Sequence, residues 1–226
     1  MSFPSQLQAV IFDLDGTLLD TAPEFIEVVQ QIRAEHQIGP LPESSIREVV
    51  SDGARAMVSL ALNMDQTHQD FEDKRQHFLR LYANKLGRAT LPYPGIMALV
   101  DTLTTANIPW GISTNKPSNL TSALLQRLNL TPAPASVVCP DHVSQPKPHP
   151  EPLLLNCSQL GVRADASVYI GDHRRDIEAG KAAGMYTIVA AYGYLHADDN
   201  PADWGADAVA NSAAELPALL QAVQFA

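Results

Sequence analysis

A chain of 226 residues holds one large domain or two small ones, and an apolar content of 46% rules out wholesale disorder. A net charge of −10 argues against a nucleic-acid or anionic-membrane surface, since both need clustered Lys and Arg. It still allows an anionic small molecule, because a bound cation and a few placed basic groups reverse the local field. Two cysteines, Cys139 and Cys157, are too few for a disulfide framework, and no run approaches the ~18 apolar residues of a membrane span. Met1 to Leu7 has neither the basic nor the apolar part of a secretory leader. The expectation is a soluble cytoplasmic protein with reduced thiols.

Leu7 to Phe12 is a short run with Val10, Ile11 and Phe12 together, the pattern of a buried parallel strand. It ends at Asp13-Leu14-Asp15-Gly16-Thr17. An amphipathic helix follows, with Phe25, Val28, Val29 and Ile32 at helical spacing, Asp20 or Thr21 as its cap and Pro23 in its first turn. Gly39-Pro40-Leu41-Pro42 breaks it. Residues from about 43 to 86 read as helical, interrupted at Ser51-Asp52-Gly53 and around Asn63-Met64-Asp65. No strand-like run occurs between Thr21 and Leu91, and Tyr93-Pro94-Gly95 marks a boundary.

Beyond it strands and helices alternate. Helices are expected over 96–106, 119–128, 151–160 and 176–183, and strands over 108–113, 136–139, 167–170, 186–190 and 207–210. Ser212 and Glu215 form a capping-box pattern for a last helix. Alternation implies a parallel sheet covered on both faces, so the fold class is α/β, a Rossmann-like core with an inserted all-helical domain. The core is expected to comprise residues 1–19 and 92–226, and the inserted cap residues 20–91.

Ligands of open parallel sheets bind beyond the carboxyl ends of the strands. Four such ends carry polar residues: Asp13 and Asp15; Ser113, Thr114, Asn115 and Lys116; Lys147; and Asp172 with Asp176. Several carboxylates brought together would raise one another's pKa without a counter-ion. A hard divalent cation such as Mg²⁺ resolves this with one or two carboxylates, waters and phosphate oxygens. A lysine and a hydroxyl opposite the metal would bind a phosphoryl group. One carboxylate could then attack phosphorus, and a second, two residues on, could protonate the leaving group and activate water.

Asp13-Leu14-Asp15-Gly16-Thr17-Leu18, Ser113-Thr114-Asn115-Lys116-Pro117, Lys147-Pro148 and Gly171-Asp172 with Asp176 resemble the four motifs of the haloacid-dehalogenase superfamily, in the right order and across essentially the whole chain. The resemblance implies Asp13 as nucleophile and metal ligand, and Asp15 as general acid/base with its main-chain carbonyl on the metal. It implies Thr114 and the Asn115 main chain as phosphate-binding groups and Lys147 as the lysine holding nucleophile and phosphoryl group. Asp172 resembles a direct metal ligand, while Asp176 orients Asp172 or a metal-bound water. It also implies a helical cap at 20–91 that closes over the site, hinged at 16–20 and 91–95.

Within the superfamily the chain resembles phosphoglycolate phosphatases and N-acetylmuramic acid 6-phosphate phosphatases. Val49 to Met57 is more similar to the second group and offers Gly53 and Arg55 to the substrate, the arginine suiting a carboxylate. The implied partner is a small phosphorylated metabolite, and the implied assembly a monomer or homodimer. A sugar phosphomutase is the alternative, since mutases of this superfamily keep both Asp13-type and Asp15-type residues. A non-catalytic binding module fits less well because every catalytic position is filled, and carbon–halogen cleavage because relatives that perform it generally lack the acid at the position of Asp15. Lys116 is not read as catalytic. His173, Arg174 and Arg175 either line the pocket mouth or face water, the second being the plainer reading, and His142, His149 and Cys139 match no zinc spacing.

Overall fold

A computed structural model describes residues 6–224. The expected absence of a secretory leader falls largely on residues 1–5, outside the described residues. Strand β1 (Ala9–Phe12) is followed by a two-residue strand β2 (Leu19–Asp20), then helices α1 (Ala22–Glu35), α2 (Glu43–Arg47), α3 (Gly53–Leu62) and α4 (Phe71–Lys85). A two-residue strand β3 (Leu91–Pro92) leads to α5 (Ile96–Thr105), β4 (Trp110–Ser113), α6 (Ser118–Leu128) and β5 (Ser136–Val138). The chain continues through α7 (Glu151–Leu160), β6 (Ser167–Gly171), α8 (Arg174–Ala182), β7 (Tyr186–Ala190), β8 (Ala208–Ala210) and α9 (Leu216–Gln221).

Six strands form one parallel sheet in the order β5-β4-β1-β6-β7-β8. All four residues of β1 are fully buried, as a central parallel strand covered on both faces requires. Its side chains alternate: Val10 and Phe12 enter the larger core, while Ile11 packs with Leu153, Cys157, Tyr169 and Met185 on the other face. Because β4 and β6 flank β1 in register, the ends of three strands lie side by side at one edge. Among the described residues no helix is long and apolar enough to cross a membrane.

Helices α1 to α4 lie between the two short strands β2 and β3, which pair antiparallel, Leu19 with Pro92 and Asp20 with Leu91. The two segments expected as hinges are thus laced together. Inside the insert, Phe25 stacks on Tyr82 at 4.1 Å between ring centroids, and Val28, Val29, Ile32, Met57, Phe71 and Phe78 are buried around them.

Two local expectations change, and one choice between offered alternatives is decided. Helix α8 begins at Arg174 rather than Asp176, because His173 is extended and accepts from the Arg175 N–H while Asp176 accepts from the His173 N–H. Asp20, not Thr21, accepts from the Ala22 N–H at the start of α1; the Thr21 hydroxyl donates to Asp15 instead. Glu215 reaches the Asn211 N–H, so Ser212 and Glu215 support a short 3-10 turn before α9 and not a capping box on it.

Glu24, 1% exposed on α1, joins the insert to its return segment by accepting from the Ala89 and Thr90 N–H groups and the Thr90 hydroxyl. Glu24→Ala strands two backbone donors and should cost about 3 kcal/mol. Urea denaturation measures this; a loss under about 0.5 kcal/mol, the range of ordinary surface changes, would contradict the buried-network reading.

Candidate active site

The end of β1 supplies Asp13, the end of β4 supplies Ser113 and Thr114, and the end of β6 supplies Gly171 and Asp172. Lys147 arrives from the loop between β5 and α7, and Asp176 from the first turn of α8. Four oxygens surround the Lys147 ammonium: Asp13 Oδ1 at 2.9 Å, Asp176 Oδ1 at 2.7 Å, the Tyr169 hydroxyl at 2.7 Å and the Ser113 carbonyl at 2.9 Å. Burial pushes the Lys147 pKa down, but Asp13 and Asp176 outweigh it and hold the ammonium charged.

The acids respond unequally to the same surroundings. Burial pushes Asp13 up, Lys147 and Arg175 oppose it, and the result is about 6. Asp176 is also driven up by burial, yet Lys147 and Arg175 outweigh that and bring it below its usual value. Asp172 lacks a lysine partner; burial, Asp13 and Asp176 together push it to about 8. It is held by the Thr17 hydroxyl at 3.0 Å, the Tyr194 N–H at 2.9 Å and the Ser51 hydroxyl at 3.0 Å.

One oxygen each from Asp13, Asp172 and Asp176 lie within 4.8 Å of one another, all buried. Three buried oxygen donors, one of them left uncompensated enough to be protonated near neutrality, fit a hard divalent cation. The Asp15 carboxylate stands apart from this group. Lys116 donates to its Oδ1 at 2.9 Å and the Thr21 hydroxyl donates to the same oxygen at 2.6 Å.

Thr114 is 3% exposed, and its hydroxyl oxygen accepts from the Lys116 N–H at 3.1 Å. Among the described residues its own O–H has no acceptor, so it can donate to a ligand. The Asn115 side chain donates to the Lys147 carbonyl at 3.0 Å and fixes the lysine-bearing loop against the end of β4.

Above these groups lies a cleft of about 570 Å³, with Asp13, Asp15, Thr114, Asn115 and Lys116 on the core side. Val50 to Arg55 and the α4 residues Arg75, Gln76, Arg80 and Tyr82 form the opposite wall. Gly53 begins α3 with φ +80, a left-handed conformation glycine adopts without strain, and lines the cleft with Ala54. Arg55 borders the cleft but donates to Gln66 at 2.9 Å and lies over the Phe71 ring at 5.1 Å. Arg75 is paired with Glu72 at 2.6 Å, whereas Arg80 has no acidic partner among the described residues.

Several residues of this site had no role assigned from the sequence. Lys116 is 7% exposed; burial lowers its pKa, but Asp15 and Tyr82 raise it further, and Tyr82 on the helical insert accepts from its ammonium at 2.7 Å. His173 and Arg175 are not simply solvated. His173 pairs with Asp52 of the insert at 3.4 Å, and Arg175 borders the cleft and donates to the Ser51 carbonyl. Only Arg174 remains at the exposed surface, paired with Glu178. Gly193 was also missed: a Cβ there would meet the Asp172 Cβ at 2.3 Å, so the loop after β7 can press its backbone on Asp172 only with glycine. The Tyr192-Gly193-Tyr194 triplet was the available clue.

The comparisons with known proteins agree with this geometry. The N-acetylmuramic acid 6-phosphate phosphatase of Pseudomonas aeruginosa is 46% identical over 211 residues, covering 93% of each chain. The phosphoglycolate phosphatase of Xanthomonas campestris pv. campestris strain 8004 is 37% identical over 219 residues, covering 96% of each. A solved structure described as a predicted phosphoglycolate phosphatase from Haemophilus somnus superposes with a TM-score of 0.84 at 21% identity, over 96% of this chain and 99% of that one. The family model described as haloacid dehalogenase-like hydrolase matches residues 10–190, and with these relatives across nearly the whole chain, the protein belongs to the haloacid dehalogenase-like hydrolase family.

Proposed function

We propose that this protein is a magnesium-dependent phosphatase that hydrolyses N-acetylmuramic acid 6-phosphate through an aspartyl-phosphate on Asp13. The observation that carries the reading is the cleft of about 570 Å³ above Asp13, walled by Arg55, Arg75 and Arg80. A two-carbon phosphate acid would leave most of that space to water, whereas a phosphorylated sugar acid fills it and gives its carboxylate an arginine to meet. The relative at 46% identity carries the same substrate in its name.

In this reading an Asp13 oxygen attacks phosphorus, a P–O bond to Asp13 forms, and the bond to the sugar oxygen breaks. Asp13 is mostly deprotonated at neutral pH, since burial and its neighbours bring it only to about 6. The Lys147 ammonium, 2.9 Å from Asp13, holds the attacking carboxylate and offsets charge building on the phosphoryl oxygens. Thr114 donates its O–H to one of those oxygens. Asp15 gives its proton to the departing sugar oxygen. It then takes a proton from water, whose oxygen attacks phosphorus, and the bond to Asp13 breaks to release inorganic phosphate, returning Asp13 as the carboxylate and Asp15 as the protonated acid that began the cycle. Asp13, Asp172 and Asp176 would hold Mg²⁺ with the Asp15 carbonyl, and the bound ion would supply charge neutralisation at the phosphoryl oxygens.

Phosphate release from a panel of esters, including N-acetylmuramic acid 6-phosphate, 2-phosphoglycolate and a hexose bisphosphate, tests the substrate. The sugar acid should turn over at least about tenfold faster in kcat/KM than the others, a difference of ~1.4 kcal/mol. Asp13→Asn should remove turnover without unfolding the protein. Preference for 2-phosphoglycolate would overturn the substrate, and phosphoryl exchange without net release would turn the reading to a mutase.

The metal leaves a second signature. A carboxyl whose folded pKa is raised stabilises the fold while protonated, fully below its usual value and no longer above the raised one. For Asp172 that window runs from 3.8 to about 8, and for Asp13 from 3.8 to about 6. Chelated protein should therefore lose thermal stability between pH 5 and pH 8, and Mg²⁺ should raise the melting temperature more at pH 8 than at pH 5. Equal shifts at the two pH values would contradict a site built from these carboxylates.

A further inference from the structure

We propose that Arg175 binds the phosphoryl group during transfer and is a further catalytic residue. The inference deepens the phosphatase reading and rests on it. Arg175 borders the cleft together with Asp13, Thr114 and Asn115. It stands in the first turn of α8 one residue before Asp176, whose carboxylate meets the same Lys147 ammonium that holds Asp13.

Its hydrogen bonds are unfinished. A guanidinium has five N–H donors and no acceptor. One of its terminal nitrogens donates to the Ser51 main-chain carbonyl. The Nε is buried and has no partner, and no carboxylate among the described residues forms a close ion pair with the side chain. A buried donor left unmade is unfavourable, so a site that keeps one beside a nucleophile is built for an acceptor that arrives with the ligand. The planar fork of arginine matches two oxygens of a phosphoryl group, and a second fixed cation beside Lys147 would offset charge that grows in the transition state. The bond to Ser51 holds the guanidinium in place from the helical insert, so binding need not order a free side chain.

The competing account is a tether that only fastens the insert through Ser51 and Asp52. Arg175→Gln and Arg175→Lys in the Mg²⁺-loaded protein separate the two. Binding of inorganic phosphate is read by calorimetry, kcat and KM on N-acetylmuramic acid 6-phosphate by phosphate release, and folding by melting temperature. The proposal expects Arg175→Gln to weaken phosphate binding about tenfold or more and to lower kcat about a hundredfold. KM should change less, and Arg175→Lys should recover part of both losses. Unchanged phosphate affinity in a folded Arg175→Gln protein overturns it, as does a loss confined to KM.

If Arg175→Gln does not fold, Arg175→Lys decides: phosphate affinity equal to that of the unaltered protein overturns the proposal, and a several-fold loss supports it. The phosphate arm needs no turnover. Unaltered protein that binds phosphate but hydrolyses no ester would sink the phosphatase reading while Arg175 is still judged; failure to bind phosphate at all would sink the Arg175 proposal.

Discussion

The site turns on one buried ion pair network. Lys147, with no exposed side-chain surface, bridges Asp13 and Asp176 at 2.9 and 2.7 Å. A lysine taken so far from water stays charged only because two carboxylates flank it, and those carboxylates stay ionisable only because of the lysine. The balance is incomplete by design of the ligand set. Three acids face one ammonium and one nearby guanidinium, and the remainder appears as the high pKa of Asp172. A divalent cation would complete that balance and would lower the cost of bringing a phosphate dianion among acids.

The strand order explains why these groups meet at all. β1 lies between β4 and β6, so the polar residues that follow these three strands share one edge although the chain separates them by up to about 160 positions. The helical insert then closes the edge. Ser51 donates to Asp172, Asp52 pairs with His173 and His196 at 3.4 and 3.0 Å, and Tyr82 receives the Lys116 ammonium that also holds Asp15. The insert is therefore bonded directly to the groups proposed to do chemistry, not merely set above them. Movement of α3 and α4 would change hydrogen bonds at Asp172 and around Asp15, which ties water exclusion to the state of the acids.

Much of this was legible from residues alone. Buried parallel strands betray themselves by β-branched runs ending in polar residues, and Val10-Ile11-Phe12 before Asp13-Leu14-Asp15 is such a run. The helical insert showed as a long stretch with apolar residues at helical spacing and nothing strand-like. What stayed hidden depends on where a side chain turns after folding. Arg55 and Arg80 both stand on helices of the insert, yet one is spent on Gln66 and Phe71 and the other has no acidic partner among the described residues. Lys116 lies within a motif yet had no assigned role, and Arg175 read equally as a pocket-mouth or a solvated residue; where each turns follows from β4 and α8 geometry that no local pattern encodes. Gly193 and Tyr194 act on Asp172 from a loop more than 20 residues away.

The central claim is that the Asp13 carboxylate becomes covalently phosphorylated. Rapid quenching during turnover of N-acetylmuramic acid 6-phosphate, followed by borohydride reduction and peptide mass spectrometry, reads this directly. An acyl phosphate at Asp13 would be reduced to homoserine at position 13, in a peptide unaltered when substrate is omitted. Reduction at Asp15 or Asp172 instead, or no reduction at position 13 while phosphate is being released at full rate, would contradict the account.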